Sequence, residues 1–235
     1  MNLEKEAFIY APIIYMDENE PFKVKKVGYK KYTKNGAFSI SFNRRFDFEN
    51  YPGTEAVYEY AYYLDYDMQH LYDLEHIWVY VDEKGEIAGA EGSYHGRFLR
   101  AYSRKEATKA ANGDYSAFAE IRDGHVVMYS QPGKHAMLAN PSLMFLYPEL
   151  FEACKRLAGI SGLDAPEKFL TDIHISEEDN RRVVEHIRSN YSFEPKMEFE
   201  EYVIPKEDYM SWDELDKKIP EYIKAELEKL GISYS

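Results

Sequence analysis

The sequence contains a single cysteine, Cys154, among 235 residues. An internal disulfide is therefore impossible, and a reducing compartment, the cytoplasm, is favoured. No run of about 18 apolar residues is present, so we expect no transmembrane helix. The apolar stretch 7–15 follows mainly acidic residues and lacks a small-residue cleavage site, so we do not expect a signal peptide.

Basic residues are also in deficit, with 29 Lys and Arg against 42 Asp and Glu and a net charge of -13. This balance disfavours a nucleic-acid partner, because neutralising phosphates requires clustered Lys and Arg. It equally disfavours binding to anionic membranes by charge alone. One short basic cluster, residues 23–31, is typical of a solvated edge strand or loop.

Tyrosine is abundant, with 22 residues. Tyrosine favours strands and carries a polar tip, so packing within a β-sheet explains most of them. A surface on which a sugar stacks would use the same residue type. Composition leaves both interpretations open.

Two neighbouring segments have the alternating pattern of strands, residues 56–67 and residues 73–82. The turn that follows the second segment predicts a hairpin. Depending on a one-residue choice of register, the returning strand places Tyr94 or His95 opposite Glu75.

The second half of the chain adds further hairpin and helix signals. Asp123-Gly124 predicts a tight turn between two strands, and Pro148 predicts a break in a buried helical region over 141–158, where Cys154 is a core thiol. The remaining predicted elements are a helix over 103–111, a helix from Ser176 to about Ser189, a strand over 197–204 and a capped helix from Ser211 to Leu230. We therefore predict one α+β domain over 1–235, with a mainly β core over 1–140 and a helical extension over 141–235.

The most informative segment is Asp65–His76, which carries four carboxylates and two imidazoles directly before the apolar run 77–81. Ionised carboxylates are costly at the mouth of a buried strand unless they are partnered. A divalent cation is the most economical partner, and Mg²⁺, Mn²⁺, Ca²⁺ or, as the less favoured alternative, Zn²⁺ suits one imidazole with two or three carboxylates. The candidate ligands are His70, Asp73 and Glu75, joined by Asp65 or Asp67.

Three residues outside this segment are candidates for chemistry at the same site. His95 and His135 could supply further ligands or transfer protons beside metal-bound water, and Lys134 could stabilise developing negative charge. His76, on the opposite strand face from Asp73 and Glu75, is better explained as a packing residue.

The spacing His70-x-x-Asp73-x-Glu75 resembles the signature of the necrosis-and-ethylene-inducing cytolysins, whose heptapeptide reads G-H-R-H-D-W-E before a hydrophobic strand. In that family the first histidine, the aspartate and the glutamate coordinate a divalent metal together with an upstream aspartate. The resemblance implies His70, Asp73 and Glu75 as ligands, with Asp67 favoured upstream and Asp65 close behind.

The chain also resembles a vacuolar-sorting-associated group with a G-D-W-E-H strand and a later G-x-H-A turn. The matching segments are Ala11-Pro12-Ile13 with Asp17-Glu18, Tyr94-His95-Gly96, and Gly133-Lys134-His135-Ala136. Together the resemblances cover roughly residues 8–150 and imply an antiparallel β-sandwich with a metal at one end of the sheets.

Three functions remain open from the sequence. The first is a metal-dependent module that binds a small molecule, a glycan or a phosphorylated head group. The second is a metal-dependent hydrolase that uses His95, His135 and Lys134. The third is an intracellular interaction or structural protein in which the acidic segment has no ligand.

Overall fold

A computed structural model of the protein describes residues 7–104 and 118–234. Within these residues the fold is α+β, as predicted, and is built on two sheets that pack in the manner of a sandwich. The strands are β1 (Ile13–Asp17), β2 (Lys26–Tyr32), β3 (Thr54–Tyr66), β4 (His70–Asp82), β5 (Ile87–Tyr94), β6 (Arg97–Ser103), β7 (Ile121–Arg122), β8 (His125–Ser130), β9 (Met137–Leu138), β10 (Gly162–Leu163), β11 (Phe199–Tyr202) and β12 (Tyr209–Ser211). The α-helices are α1 (Leu150–Ala153), α2 (Glu177–Tyr191) and α3 (Trp212–Lys229).

The larger sheet has the order β12-β2-β3-β4-β5-β6, with β10 beside β4. The smaller sheet has the order β11-β1-β8-β7, with β9 beside β8. Apolar side chains of both sheets, such as Ile14 and Met128 from the smaller and Ile77 from the larger, belong to one buried core. Burying these side chains supplies the main driving force for packing the sheets together.

The β3–β4 hairpin is the longest ladder, and it carries the acidic segment. β4 begins at His70 rather than at the predicted residue 73, because Leu71 pairs with Tyr66 and His70 pairs with Gly162 of β10. His70 is therefore a strand residue and not part of the turn. A bulge between Tyr80 and Val81 shifts the β4–β5 register by one residue, so Val81 pairs with Ile87 and Ile77 pairs with Gly92.

Several later predictions are confirmed. Asp123 and Gly124 have φ values of 51° and 83° and connect β7 to β8, as a two-residue hairpin turn requires. The region after Pro141 is broken near Pro148 into a 3-10 helix and α1, and Cys154 is buried. Ser176 and Ser211 cap α2 and α3.

Other segments differ from prediction or fall outside the description. The strand predicted over 197–204 is shorter, Phe199–Tyr202, and Ser103 ends β6. The helix predicted over 103–111 lies mostly outside the described residues. Residues 141–235 contribute strands to both sheets as well as helices, and their division from 1–140 stays a prediction.

The basic cluster over 23–31 is divided between a loop and a strand. Residues 23–25 lie in a loop before β2, as predicted, whereas residues 26–31 belong to β2. The middle of β2 is not an edge, because β12 pairs with Val27–Tyr29 on one side and β3 pairs with β2 on the other. In the described part of the chain, no helix is both long and apolar enough to cross a membrane.

A stability prediction concerns the contact between the two sheets, where Gly92 of β5 lies against Met137 of β9. A Cβ atom at Gly92 would lie 2.0 Å from the backbone carbonyl oxygen of Met137, so Gly92→Ala forces the two backbones apart. We expect the free energy of unfolding to fall by about 1–3 kcal/mol, the usual cost of overpacking, as measured by urea denaturation. The comparison variant is Gly28→Ala, whose Cβ would lie nearest to side-chain atoms of Leu215 and Trp212, at 2.8 and 2.9 Å, and not to backbone. A Gly92→Ala protein as stable as Gly28→Ala would contradict the close approach.

Candidate functional site

The acidic segment meets the Pro/Gly turn of residues 131–136 at one end of the sandwich. The backbone N–H of Met68 donates to the carbonyl of Gly133 at 2.6 Å, and the N–H of Gly159 donates to the carbonyl of Met68 at 2.8 Å. Gly133 has a φ of 66°, a conformation that glycine adopts without strain. These contacts fix the turn that carries Lys134 and His135 against the start of β4.

Six side chains gather at this junction, and we call them the edge cluster: Asp67, His70, Asp73, Glu75, Lys134 and His135. All six are residues that the sequence singled out. Their contacts divide them into three groups, described in turn below.

Asp67 is buried and holds the turn together. Its Oδ1 accepts the backbone N–H groups of Gln69 and His70 at 2.6 and 2.8 Å, and its Oδ2 pairs with the Lys134 ammonium group. The Nε2 atom of His70 lies 3.3 Å from the same oxygen. Burial raises the pKa of Asp67, but Lys134 and His70 outweigh burial and lower it.

Asp73 and His135 form the second group, together with Glu20. The Oδ2 atom of Asp73 lies 2.7 Å from Nδ1 of His135, and Oε1 of Glu20 lies 3.4 Å from Nε2 of the same ring. Burial lowers the pKa of His135, but Glu20 and Asp73 raise it to about 10. His135 is therefore a buried imidazolium at neutral pH, engaged at both nitrogens.

Glu75 forms the third group and contacts a hydroxyl instead of a cation. The Ser93 hydroxyl donates to Oε2 of Glu75 and accepts the backbone N–H of His76 at 2.7 Å. Burial and the neighbouring carboxylate of Asp73 raise the pKa of Glu75 to about 8. The side chain is thus largely protonated at neutral pH.

Asp65 does not join this cluster. Its carboxylate is paired with the ammonium group of Lys25 at 2.8 Å, and Glu226 of α3 lies 3.8 Å from the same ammonium group. The structure therefore separates the two aspartates that the sequence left as alternatives.

His95 lies at the mouth of the edge cluster. It is exposed, its Nε2 lies 2.8 Å from Oε1 of Gln131, and its ring is 4.6 Å from the rings of Tyr94 and Tyr147. Burial of part of the ring and the charge of Lys134 lower the pKa of His95. This shift favours the neutral form of His95.

His76 occupies the opposite face of β4, as predicted. Its ring is stacked with that of Trp78, and its Nε2 lies 2.9 Å from the Ser41 hydroxyl. Because Ser41 donates to Glu59 at 2.6 Å, it accepts from His76, so this histidine does not activate the serine. Burial lowers the pKa of His76 to about 4.

The chemistry of the donor set fits a divalent cation, since three carboxylates and one imidazole converge at one end of a sheet. In this structure, Asp67 and Asp73 are paired with cationic side chains of the protein itself, Lys134 and His135. Across residues 7–104 and 118–234, no three His, Cys, Asp or Glu side chains are already arranged to hold one ion together. The ammonium group of Lys134 supplies the positive charge beside the Asp67 carboxylate.

Sequence reasoning missed Glu20, Gln131 and Tyr147. Glu20 anchors the 131–136 turn through the backbone N–H of Gly133 at 2.7 Å as well as facing His135. It comes from the loop between β1 and β2, and no motif in that loop marks it. The position of Ser93 was nearly predicted, because the expected hairpin register placed the adjacent Tyr94 or His95 opposite Glu75.

Comparison with known proteins gives one distant resemblance. No protein-family model matches the sequence, and no curated protein matches it significantly. Among solved structures, the crystal structure of a triple mutant of NLPPya, a necrosis- and ethylene-inducing-like protein, is similar. It has 13% sequence identity and a TM-score of 0.32, over 80% of this chain and 89% of that chain. This is a distant resemblance in fold.

The buried pair Asp67–Lys134 generates the first prediction for the site. Asp67→Asn leaves the ammonium group buried without its counter-ion, so we expect a loss of about 3–5 kcal/mol in the free energy of unfolding. The matched control is Asp65→Asn, two residues away, whose partly exposed pair should cost about 1 kcal/mol or less. Chemical denaturation measures both, and equal losses would contradict the central role of Asp67.

Glu75 generates a prediction about pH. Its pKa is raised in the folded state, so the folded protein holds a proton that the unfolded chain releases above its ordinary carboxyl pKa. The free energy of unfolding therefore falls as the pH rises from about 4.5 through about 8. Glu75→Gln cannot ionise, and we expect a flatter pH dependence in thermal unfolding with chelator present.

The control for this prediction is Glu55→Gln, an exposed acid on β3. Its stability should follow the parent protein across the same pH range. Parallel curves for Glu75→Gln and the parent would show that Glu75 ionises normally in the folded protein.

Proposed function

We propose that this protein is a cation-dependent binding module. In this proposal Asp67, His70, Asp73 and Glu75 hold a divalent cation, and the positions on the cation that the protein leaves open bind a sugar or a phosphorylated head group. Magnesium, manganese and calcium suit this oxygen-rich set best, and zinc is the less favoured alternative.

The observation that carries the proposal is the surplus of carboxyl groups at the junction. Lys134 pairs with Asp67, and His135 pairs with Asp73 and Glu20. In the described part of the chain, the fourth carboxyl group, that of Glu75, has no cationic partner within contact distance and contacts Ser93 instead. Glu75 relieves the surplus by keeping a proton. A divalent cation would supply the missing positive charge, and its binding would release that proton.

Lys134 explains how such a site can be stable without metal. Its ammonium group neutralises Asp67 in a buried position, where an unpaired carboxylate would be costly. Metal binding in this proposal requires the Lys134 side chain to release Asp67. Affinity is therefore moderate, since the metal competes with an internal cation.

The mouth of the site supports a ligand with hydroxyl or phosphate groups. Tyr94 and Tyr147 flank the exposed His95, and aromatic rings at a polar mouth provide a surface against which a sugar ring packs. Because the Nε2–H of the neutral His95 ring donates to Oε1 of Gln131, its Nδ1 accepts a hydrogen bond from a hydroxyl of the same ligand in this proposal. Ten of the other tyrosines do not contribute, because they are buried in the described core.

A hydrolase is the second candidate, and His95 is the residue that favours it. A neutral, exposed imidazole beside the cluster can accept a proton from a reacting water. His135 is less suited to this role, because it is fully buried and engaged at both nitrogens. Turnover that is lost in His95→Ala while metal binding persists would favour the hydrolase.

The decisive experiment is calorimetric titration of chelator-treated protein with Mg²⁺, Mn²⁺, Ca²⁺ and Zn²⁺. We expect one ion per chain, with release of a proton near neutral pH, and loss of binding in Asp73→Asn/Glu75→Gln. Asp65→Asn is the matched control and should bind as the parent does, because Asp65 is paired with Lys25 away from the cluster.

Each other outcome has a definite meaning. Binding that survives in the double variant would place the cation elsewhere. If the folded parent protein takes up none of the four ions, the proposal fails, and the cluster is a structural network in an interaction or structural protein. If one of the four ions binds, glycans and phosphosugars would be screened for binding to the metal-loaded protein.

A further inference from the structure

A second concave surface lies away from the edge cluster, on the side of the larger sheet where β12 and α3 pack. It is a groove of about 1110 Å³ between residues 7–8, β2, the 206–207 turn, β12 and the first turns of α3. None of the edge-cluster residues lines it. This volume is slightly above the usual range of about 300–1,000 Å³ for pockets that bind small organic ligands.

The charge of this surface is opposite to that of the chain. Five lysines line it, Lys26, Lys30, Lys31, Lys206 and Lys218, against three carboxylates. The protein as a whole carries a net charge of -13. We call this surface the lysine groove. Its positive balance in an acidic protein is the first reason to expect an anionic ligand.

The ion pairs within the groove leave room for such a ligand. Lys26 is paired with Asp208 at 2.6 Å, Lys30 with Asp213 at 3.1 Å and Lys218 with Glu214 at 2.8 Å, so four carboxylates lie beside the five lysines. Asp213 and Glu214 are themselves exposed, with 67% and 51% of their side-chain surfaces accessible. Exposed pairs of this kind are weak and are readily exchanged for a ligand anion.

Aromatic rings give the groove an apolar wall. The rings of Phe8 and Tyr209 meet edge to face with centroids 4.8 Å apart, and both residues are only partly buried. The ammonium group of Lys206 lies 5.5 Å from the centroid of Phe8. Lysine next to an accessible ring presents a positive charge and a flat apolar surface to the same molecule.

We propose that the lysine groove binds a small organic anion that carries a flat apolar body and a carboxylate, phosphate or sulfonate group. The aromatic wall receives the body and the lysines receive the charge. A long polyanion is a poorer occupant, because the remaining surface of the protein is acidic and repels it.

The test uses 8-anilinonaphthalene-1-sulfonate as the probe, because it combines both features and reports binding by fluorescence. N-phenyl-1-naphthylamine, which has the same ring system without the sulfonate, is the matched neutral probe. Titrations are run with chelator present, so that the edge cluster takes no part. We expect one sulfonate probe per folded chain, with the neutral probe about tenfold weaker or more.

The variant is Lys30→Gln/Lys206→Gln, and the control is Lys155→Gln/Lys196→Gln, two exposed lysines on other elements. We expect the groove variant to bind the sulfonate about tenfold more weakly, and the control to bind as the parent does. Both variants replace partly exposed or exposed side chains, and near-UV circular dichroism verifies their packing. Added salt should steeply lower the affinity of the parent protein for the sulfonate probe, but not its affinity for the neutral probe.

Three results would overturn the proposal. The first is equal affinity for the charged and neutral probes, which would indicate apolar binding alone. The second is equal weakening in the groove and control variants, which would indicate a general charge effect. The third is no binding of the sulfonate by the folded parent.

Discussion

The buried pair between Asp67 and Lys134 is the interaction on which the arrangement of this end of the molecule depends. Asp67 belongs to the turn between the two central strands of the larger sheet, β3 and β4. Lys134 belongs to the turn between β8 and β9 of the smaller sheet. Asp67 also fixes its own turn through two backbone N–H groups. One carboxylate thus orients the start of β4 and ties it to the other sheet, which places Asp73 beside His135.

A carboxylate surplus held in this way has chemical consequences. Each buried carboxylate needs a proton, a hydrogen-bond donor or a cation, and the cluster uses all three: Lys134 on Asp67, His135 between Asp73 and Glu20, and a retained proton on Glu75. The group without a cation is also the one whose pKa is raised. Perturbed carboxyl groups beside a polar mouth are typical of binding and catalytic sites, and this is why the edge cluster, and not the polar network around His76, is the candidate site.

The parts of this picture that sequence could predict are those governed by local patterns. Alternation identified β3 and β4, Asp123-Gly124 identified the hairpin, and serine caps identified both long helices. The convergence of residues 93–96 on Glu75 followed from hairpin register, although a bulge shifted the pairing by a residue. Glu20 could not be predicted, because only tertiary packing brings its loop to His135. The placement of Asp67, and not Asp65, in the edge cluster also needed coordinates, since it depends on their partners Lys134 and Lys25, which lie far apart in the sequence.

The C-terminal region shows why a helical extension is an incomplete description of residues 141–235. Strand β12 pairs with Val27–Tyr29 of β2, so this part of the basic segment lies inside the sheet and not at its edge. The first turns of α3 then line the lysine groove, while Glu226 near its other end accepts from the Tyr66 hydroxyl at 3.2 Å. Tyr66 ends β3 immediately before Asp67. A single helix therefore forms part of the positively charged surface and also braces the strand that leads into the acidic cluster, so the two candidate sites share a structural support although their charges are opposite.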